Sequence, residues 1–422
     1  MVKSALADNP ERTAWTVLLS AFLVLVSIIA GALFGGQWWL RNATRPQGIG
    51  MVGSGTVLVT QPGRTTAEVN LASFPAGSRV ATDAIGQAYL TFTSSDGRQV
   101  LATVRMFGNT EIEVVQADSP RYQSGTGPHQ IVIYINSGRV RATMGVDLDR
   151  EVRIEIRSEP GALTVVDEPG SNVSLEATRT QTMVTVRDGF ATVSAYNGRL
   201  VLKADERSVV APGLPPSGPL TGEQNWIVNG DFADPLNGEW RRTIAQPAVA
   251  EETPGTVEVV TITGRRVVQL SRVGTTLNWG RAGITQQIDR DVQGYSSLRL
   301  NLDVFITQQD VPNCGVFGTE CPLMVRIEYI DVGGSQGEWL QGFYYFFDSN
   351  PVRGLTYCAT CAVRFEHLQW PQAKWQVHNT PNLLEVFAAA GTPAARIRSI
   401  TVYGEGHSFN SMVTDIQLLA TE

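Results

Sequence analysis

The sequence predicts an all-β protein preceded by one membrane-spanning helix, and three observations lead to this prediction. A long, uncharged apolar run lies near the N-terminus. From residue 56 onward, apolar and polar residues alternate in short stretches, as strands with one buried face require. The 41 Gly and 21 Pro residues supply the many turns that short strands need. A chain of 422 residues exceeds one ordinary core, so we predict two β-domains behind the helix.

The apolar run reads WTVLLSAFLVLVSIIAGALF over residues 15–34 and contains no charged residue. As a helix, it is long enough to cross a hydrocarbon layer of ~30 Å. Trp15 is the first residue of the run, and Trp38 and Trp39 follow its end. Both ends thus carry aromatic rings, which favour the lipid–water boundary. We therefore predict a transmembrane signal anchor over residues 15–40.

The anchor divides the chain into a short inner part and a large outer part. Residues 1–14 are interpreted as a cytoplasmic tail, and the glycine-rich residues 41–55 as a spacer. A secretory signal cleaved at the small residues 30–32 is the alternative, and the anchor is favoured because the apolar run exceeds a normal signal core. Both interpretations place the bulk of the chain on the far side of the membrane. The favoured anchor predicts a single-pass location in the cell membrane with that bulk extracytoplasmic.

Residues 56–212 are predicted to form the first β-domain. The stretches QIVIYIN at 130–136 and VRIEIR at 152–157 alternate in the way that strands do. Asn197 and Gly198 give a strong signal for a two-residue hairpin turn. Many short strands are therefore expected in this part of the chain.

Four stretches of the first β-domain combine small-residue strands with glycine turns. They are AGSRVATDAIGQAYLTFTSSDG at 76–97, RMFGNTEIEVV at 105–115, INSGRVRATM at 135–144 and the closing strands at 184–213. This order resembles the FecR-like domain of bacterial envelope proteins. The resemblance implies an outer domain linked through one transmembrane helix to a cytoplasmic segment that holds a sigma factor. Because residues 1–14 leave no room for that segment, we expect a departure from the classical anti-sigma role.

A Pro/Gly linker is predicted at residues 213–224, since stacked Pro and Gly donate few ladder hydrogen bonds and bury little apolar surface. The stretch WIVNGDFADPLNGEW at 226–240 then opens the second domain, residues 225–422. It resembles the beginning of jelly-roll, galactose-binding-like and carbohydrate-binding modules. The resemblance implies an antiparallel β-sandwich (jelly roll), and the alternation of LRLNLDVFI at 298–306 agrees with it.

The same resemblance implies one possible cofactor, a structural calcium between the first and last strands of the sandwich. Asp231 and Asp415 stand at suitable places to supply carboxylate oxygens. Ala233 stands where such modules usually carry a Glu ligand, and a calcium ion takes ~6 to 8 oxygens. The alternative is that Asp231 caps its own turn by accepting backbone N–H groups.

All four cysteines, Cys314, Cys321, Cys358 and Cys361, lie in the second domain. An even number beyond a membrane anchor predicts disulfides in an oxidising compartment. The spacing leaves two connectivities open, local pairs or cross-links between the two loops. A zinc site is the alternative, although the spacing of the first pair is poor for a metal. Redox chemistry at CATC is less favoured because no βαβ pattern surrounds it.

Four tryptophans, Trp279, Trp339, Trp370 and Trp375, are candidate ligand contacts in the second domain. The apolar face of a sugar stacks on a flat ring, while its hydroxyls need polar neighbours. The alternative is that these rings pack in the core, since large aromatics dominate the interior of β-sandwiches.

The sequence favours binding over catalysis. It contains no His-Glu-x-x-His or phosphate-loop motif, and its four histidines lack metal-like spacing. A net charge of -7 without a basic block argues against nucleic-acid binding. We expect a membrane-anchored binding or scaffold protein of a bacterial cell envelope that engages a glycan or protein partner. The alternative is a transmembrane signalling component without its own anti-sigma segment.

Overall fold

The computed structural model describes residues 10–67, 70–159, 161–236, 238–246, 252–262, 264–274 and 278–422. One long N-terminal helix is followed by two β-units, which confirms the predicted fold class. Residues 1–9 of the predicted cytoplasmic tail lie outside the described part of the chain.

The first helix, α1 (Pro10–Asn42), is long and apolar enough to cross a membrane. None of its most apolar stretch is buried against the rest of the protein. Exposing apolar side chains to water is unfavourable, because each large one contributes ~1.5 to 3 kcal/mol when it is buried. A secretory signal shares this length and composition, so the helix fits both of the sequence-based interpretations.

The first β-unit contains β1 (Thr44–Pro46), β2 (Gly48–Ser54), β3 (Val57–Gln61), β4 (Arg64–Ala67), β5 (Asn70–Leu71), β6 (Ser78–Thr82), β7 (Gln87–Thr93), β8 (Val100–Met106), β9 (Glu111–Pro120), β10 (His129–Met144), β11 (Val152–Ser158), β12 (Ala162–Val166), β13 (Asn172–Ala177), β14 (Thr182–Asp188), β15 (Phe190–Ala195), β16 (Gly198–Lys203), β17 (Glu206–Val210) and β18 (Ser217–Thr221). The hairpin predicted at Asn197 and Gly198 joins β15 to β16.

These strands form two sheets that share the long strand β10. Sheet 1 runs β4-β3-β6-β9-β10-β11-β12-β15-β16, with β1 also paired to β9. Sheet 2 runs β5-β2-β7-β8-β10-β13-β14-β17-β18. The chain passes from one sheet to the other at Gly138, where φ is 94° and a Cβ would lie 2.5 Å from the Cα of Thr110. Glycine is therefore required at this point.

Two segments predicted as connectors are instead largely sheet. The spacer over residues 41–55 contains β1 and β2, and Ile49 and Met51 alternate with glycines and are buried. The linker over residues 213–224 contains β18, which pairs with β17 at the edge of sheet 2. An edge strand tolerates proline because one of its sides needs no N–H donors, so the Pro content did not exclude a strand.

The second unit contains β19 (Gln224–Asn225), β20 (Trp240–Ala245), β21 (Thr256–Ile262), β22 (Arg265–Arg272), β23 (Gly280–Asp291), β24 (Ser297–Gln309), β25 (Leu323–Asp331), β26 (Gln336–Tyr344), β27 (Leu368–Gln369), β28 (Gln376–Asn379), α2 (Leu383–Ala389), β29 (Ala394–Gly406) and β30 (Phe409–Thr421). Sheet 3 runs β21-β22-β30-β24-β28 with β19 beside β30, and sheet 4 runs β20-β23-β29-β25-β26-β27. Apolar side chains of both sheets meet in one core.

The turn at the start of the second unit closes one end of this sandwich. Phe232 is fully buried, and its ring lies 6.0 Å from that of Trp240. The Trp240 indole N–H donates to the carbonyls of Val228 and Asn229, each at 3.1 Å. Asn229 adopts a positive φ of 53°, as a tight turn demands. The two tryptophans of the opening stretch therefore belong to the core rather than to a surface.

The two β-units meet through a buried group of charges. Arg139 of β10 donates to Glu422 at 3.0 Å, and its guanidinium lies 3.8 Å from the ring centroid of Phe107. Arg141 donates to the carbonyl of Gly294 at 2.9 Å and to Glu422 at 3.3 Å. The Arg139 and Glu422 side chains are 5% and 3% exposed. These contacts hold the two units together in a desolvated interface.

Candidate ligand-binding face

The four candidate tryptophans do not lie together. Trp339 is 2% exposed in the sandwich core, and the Trp370 ring packs 4.7 Å from that of Phe343. Both tryptophans therefore pack in the core, as the alternative to ligand contact expected. Trp279 is 38% exposed and precedes β23, whereas Trp375 is half-buried on the outer surface of sheet 3. Trp375 is thus the tryptophan with polar neighbours suited to a ligand.

Sheet 3 turns one face to the core and the other outward. On β24, Leu302 and Val304 are buried in the core, while Asn301, Asp303 and Phe305 alternate with them on the opposite face. Neighbouring strands add further outward residues at the same level. The outer face of sheet 3 is defined here by Arg265, Gln269, Asn301, Asp303, Phe305, Trp375, Asn410, Asp415 and Gln417.

An aromatic pair lies at the centre of this outer face. The rings of Trp375 and Phe305 are 5.1 Å apart with planes inclined at 36°. The Arg265 guanidinium lies 5.0 Å from the centroid of the Trp375 ring, within cation–π distance. Both aromatic rings are half-buried. Each is therefore held by packing on one side and remains accessible to solvent on the other.

Arg265 connects two carboxylates on the same face. Its guanidinium donates to Asp303 and to Asp415, each at 2.5 Å. The hydrogen bond to Asp303 is the main cause that raises the pKa of Arg265 above its usual value. The Asp303 side chain is 16% exposed and that of Asp415 48%, so the group is reachable from solvent. One cation and two anions leave the cluster with a net negative charge.

A bulge in β30 places Asp415 in this cluster. The regular pairing of β24 with β30 shifts here, and Asp415 adopts a positive φ of 51°. The N–H of Ile416 leaves the ladder and donates to the carbonyl of Gly230 at 3.0 Å. A Cβ on Gly230 would lie 1.9 Å from the carbonyl oxygen of Ile416, so the close approach requires glycine. The Asn-Gly-Asp turn thereby shapes the outer face.

Amide side chains surround the aromatic pair and the charged cluster. Gln269 donates to the Asn410 side chain at 2.9 Å. Gln372 donates to the carbonyl of Thr307 at 2.8 Å, on the strand that carries Phe305. Gln417 is exposed directly opposite the outward Asn301. The face therefore offers donors and acceptors around an apolar centre.

The sequence carries a local signal for part of this face, namely the alternation of apolar and polar residues along β24. The alternation in residues 298–306 already assigned Asn301, Asp303 and Phe305 to one face. Arg265 carried no local signal, because it meets Asp415 across 150 residues of sequence. Of the site residues predicted from the sequence, Trp375 and Asp415 therefore belong to this face.

The two carboxylates predicted to bind calcium point to different partners. Asp231 is exposed and accepts the backbone N–H of Ala233 at 3.3 Å, as the turn-capping alternative expected. Asp415 is bound by Arg265. A calcium site would require these carboxylates to exchange their present donors for the ion, and it stays an untested expectation.

The four cysteines form two local disulfides, Cys314–Cys321 and Cys358–Cys361. The disulfides lie in a small buried cluster with Met324, Leu340, Tyr344 and Tyr403. His367 lies close to the first pair, yet both of its ring nitrogens are used. Nδ1 accepts the Gly342 N–H at 2.9 Å, so Nε2 carries the proton and donates to the carbonyl of Gly318 at 2.7 Å. Burial lowers the pKa of His367, which keeps this neutral form.

Comparison with solved structures finds several neighbours. One is an anti-sigma factor from Parabacteroides distasonis, with 16% identity over 32% of this chain and 56% of that protein, and a TM-score of 0.23. The chain thus spans about half of that protein's length. Another is the family 11 carbohydrate-binding module from Clostridium thermocellum in complex with a β-1,3-1,4-mixed-linked tetrasaccharide, with 14% identity over 46% of this chain and 94% of the module, and a TM-score of 0.27.

A third neighbour is TmCBM61 in complex with β-1,4-galactotriose, with 15% identity over 47% of this chain and 99% of that protein, and a TM-score of 0.24. No protein-family model matches the chain, and no curated protein sequence matches it. Likenesses of this strength assign neither a ligand nor an activity.

Proposed function

We propose that this protein is a membrane-anchored binding protein whose second unit binds a neutral glycan on the outer face of sheet 3. The observation that carries the proposal is the contact of Trp375 with both Phe305 and Arg265, beside two accessible carboxylates. An apolar surface framed by fixed hydrogen-bonding groups is the arrangement that a pyranose ring needs.

The charges of the face favour an uncharged sugar. Arg265 is shared by Asp303 and Asp415, so its positive charge is already neutralised within the protein. An acidic sugar would meet the remaining negative charge and would have to displace one carboxylate. Neutral hydroxyls can instead donate to the carboxylates and to the amide oxygens of Gln417 and Asn301.

The same arrangement favours binding over hydrolysis. A glycosidase needs one carboxyl group that holds a proton and a second that stays ionised. Asp303 and Asp415 both accept from the Arg265 guanidinium, so the two carboxyl groups are engaged in one internal ion-pair cluster rather than set apart as acid and base. We therefore propose that the outer face retains a glycan without cleaving it.

Trp375→Ala in the full-length protein tests the proposal. The probes are the mixed-linked β-glucan tetrasaccharide, β-1,4-galactotriose and soluble neutral cell-wall fragments, with polygalacturonate as the acidic comparison. We expect at least one neutral probe to bind and the variant to bind it about tenfold more weakly, which corresponds to ~1.4 kcal/mol. Calorimetry in detergent or nanodiscs measures this difference.

Trp279→Ala is the matched control, because Trp279 is also exposed but lies off the outer face. It should bind as the wild type does. Equal weakening by both substitutions, preference for the acidic polymer, or no binding by folded wild-type protein would each reject the proposed face. Accumulation of shortened sugar would reject the non-catalytic part.

Signalling across the membrane is the second candidate, and one contact favours it. The chain has little free length between α1 and sheet 1, because the Arg121 N–H donates to the carbonyl of Ala43 at 2.8 Å. A movement of the first β-unit would therefore reach the helix. Capture of the intact protein from gentle detergent tests this role: recovery of a sigma factor or transporter would favour signalling, and recovery of wall polymer would favour the binding role.

A further inference from the structure

A basic aromatic collar surrounds the junction between α1 and the first β-unit. It is defined by Trp38, Trp39, Arg41, Arg45, Arg121 and Tyr122. The Trp39 ring lies 5.8 Å from that of Tyr122, and the Arg121 guanidinium lies 5.7 Å from the Tyr122 ring centroid. Trp38 and Trp39 are 68% and 51% exposed.

The collar combines residues of the helix end with residues of a loop that is held in place. β1 pairs with β9 immediately after the helix, with Arg45 opposite Ser119. Arg150 holds the loop that follows β9. Its guanidinium donates to the carbonyls of Gln123 and Gly127, each at 3.1 Å. Tyr122 and Arg121 are therefore carried on a rigid support beside the helix.

The charge of the collar lacks a partner within the protein. Arg41, Arg45 and Arg121 are all exposed, and within the described ranges none of them forms an ion pair. A local group of three cations contrasts with the net charge of -7 of the whole chain. The partner that neutralises it must be anionic and must lie at the end of an apolar helix.

We propose that the collar binds the phosphate groups of anionic phospholipids, so that the first β-unit rests against the membrane surface. The inference rests on the proposed membrane anchoring of α1. A guanidinium matches the oxygens of a phosphate with two parallel hydrogen bonds. The rings of Trp38, Trp39 and Tyr122 provide the amphipathic surface that the headgroup layer accommodates. The collar would thus fix the first β-unit against the membrane surface instead of leaving it on a flexible linker.

The test compares the full-length protein in two kinds of nanodisc, one of phosphatidylcholine alone and one containing phosphatidylglycerol. We expect a higher unfolding temperature with phosphatidylglycerol and loss of that increment in 0.5 M salt, since the Debye length falls to ~4 Å at that strength and attraction between exposed charges farther apart is screened. The variant Arg41→Gln/Arg45→Gln/Arg121→Gln should unfold at the same temperature in both nanodiscs.

Arg179→Gln/Arg199→Gln/Arg241→Gln removes the same charge from exposed positions elsewhere and should keep the increment. Equal unfolding temperatures of the wild type in both nanodiscs, or an equal loss in the control, would overturn the proposal. Extraction of the protein from membranes by alkaline carbonate would show instead that α1 does not span them, which overturns both the anchoring and the collar. Glycan binding is measured separately and does not depend on either result.

Discussion

Arg139 of the first unit lies 2.8 Å from the carboxylate of Asp291 in the second unit, inside a desolvated junction. The Arg139 guanidinium is held between the rings of Phe107 and Tyr295, at 3.8 and 4.6 Å from their centroids. One side chain thus contacts both units through charge and through aromatic faces. The two β-units are therefore coupled in stability through this contact.

Arg139→Gln should destabilise the full-length protein strongly. The substitution leaves Asp291 and Glu422 buried without their main cation, and a buried carboxylate that loses its partner costs ~3 to 5 kcal/mol. Thermal unfolding and limited proteolysis will report this loss, the latter as cleavage between the units. Arg79→Gln is the control, because its ion pair with Glu113 is exposed and worth ~0 to 1 kcal/mol. Equal stability of the two variants would contradict the coupling.

Glu422 should make the junction weaken on acidification. Burial alone would raise the pKa of Glu422, but Arg139, Arg141 and a hydrogen bond from Ser174 more than offset it and lower the pKa. A carboxyl group with a lowered folded pKa contributes stability above its unfolded pKa of ~4.3 and loses it as the pH falls through the folded value.

Glu422→Gln isolates this contribution. The wild type should exceed the variant in free energy of unfolding at pH 6, and the difference should shrink steadily below pH ~4.3. Asp291, whose pKa is raised by burial, is present in both proteins. Denaturant unfolding at a series of pH values measures the difference. A gap that is independent of pH would mean that Glu422 acts by packing alone.

Alternation and turn signals were enough to predict strands, but not the contacts between distant charges. The hairpin at Asn197 and Gly198 follows from a local pattern. Arg139 and Asp291 are 152 residues apart, and no local periodicity links them. For the same reason the sequence did not predict Arg265 as a site residue. Trp375 was predicted because tryptophan is a residue type that stacks on sugars.

His378 should make the second unit lose stability in mild acid. Its ring is half-buried, with its centroid 5.1 Å from that of Phe343 and 5.9 Å from that of Trp370, and desolvation lowers its pKa to about 4. The unfolded chain takes up the proton near pH ~6.5, so this contribution is complete above that pH and is lost as the pH falls towards 4. The shift corresponds to a loss on the order of 3 kcal/mol.

His378→Phe keeps an aromatic ring in the same place and should remove this pH dependence. His129 and His367, whose pKa values are also lowered mainly by burial, remain in both proteins and cancel from the difference. Denaturant midpoints between pH 4 and 7 measure it. Parallel curves for the wild type and the variant would show that His378 stays accessible to protons in the folded state.

Gly230→Ala tests whether the opening turn of the second unit shapes the outer face. The added methyl would lie 1.9 Å from the carbonyl oxygen of Ile416, and backbone must shift to relieve the contact. The shift displaces the bulge and draws Asp415 away from Arg265. We expect a loss of ~1 to 3 kcal/mol in the free energy of unfolding, together with weaker binding of the neutral glycan probe.

Gly127→Ala is the control for the Gly230 substitution, because an added methyl at Gly127 meets no atom within 4 Å. It should unfold and bind as the wild type does. Thermal unfolding and calorimetry on the same preparations separate the two effects of Gly230→Ala. A variant that is destabilised yet binds normally would show that Asp415 does not contact the glycan. A variant that keeps full stability would contradict the close approach of the turn to β30, on which the shape of the outer face depends.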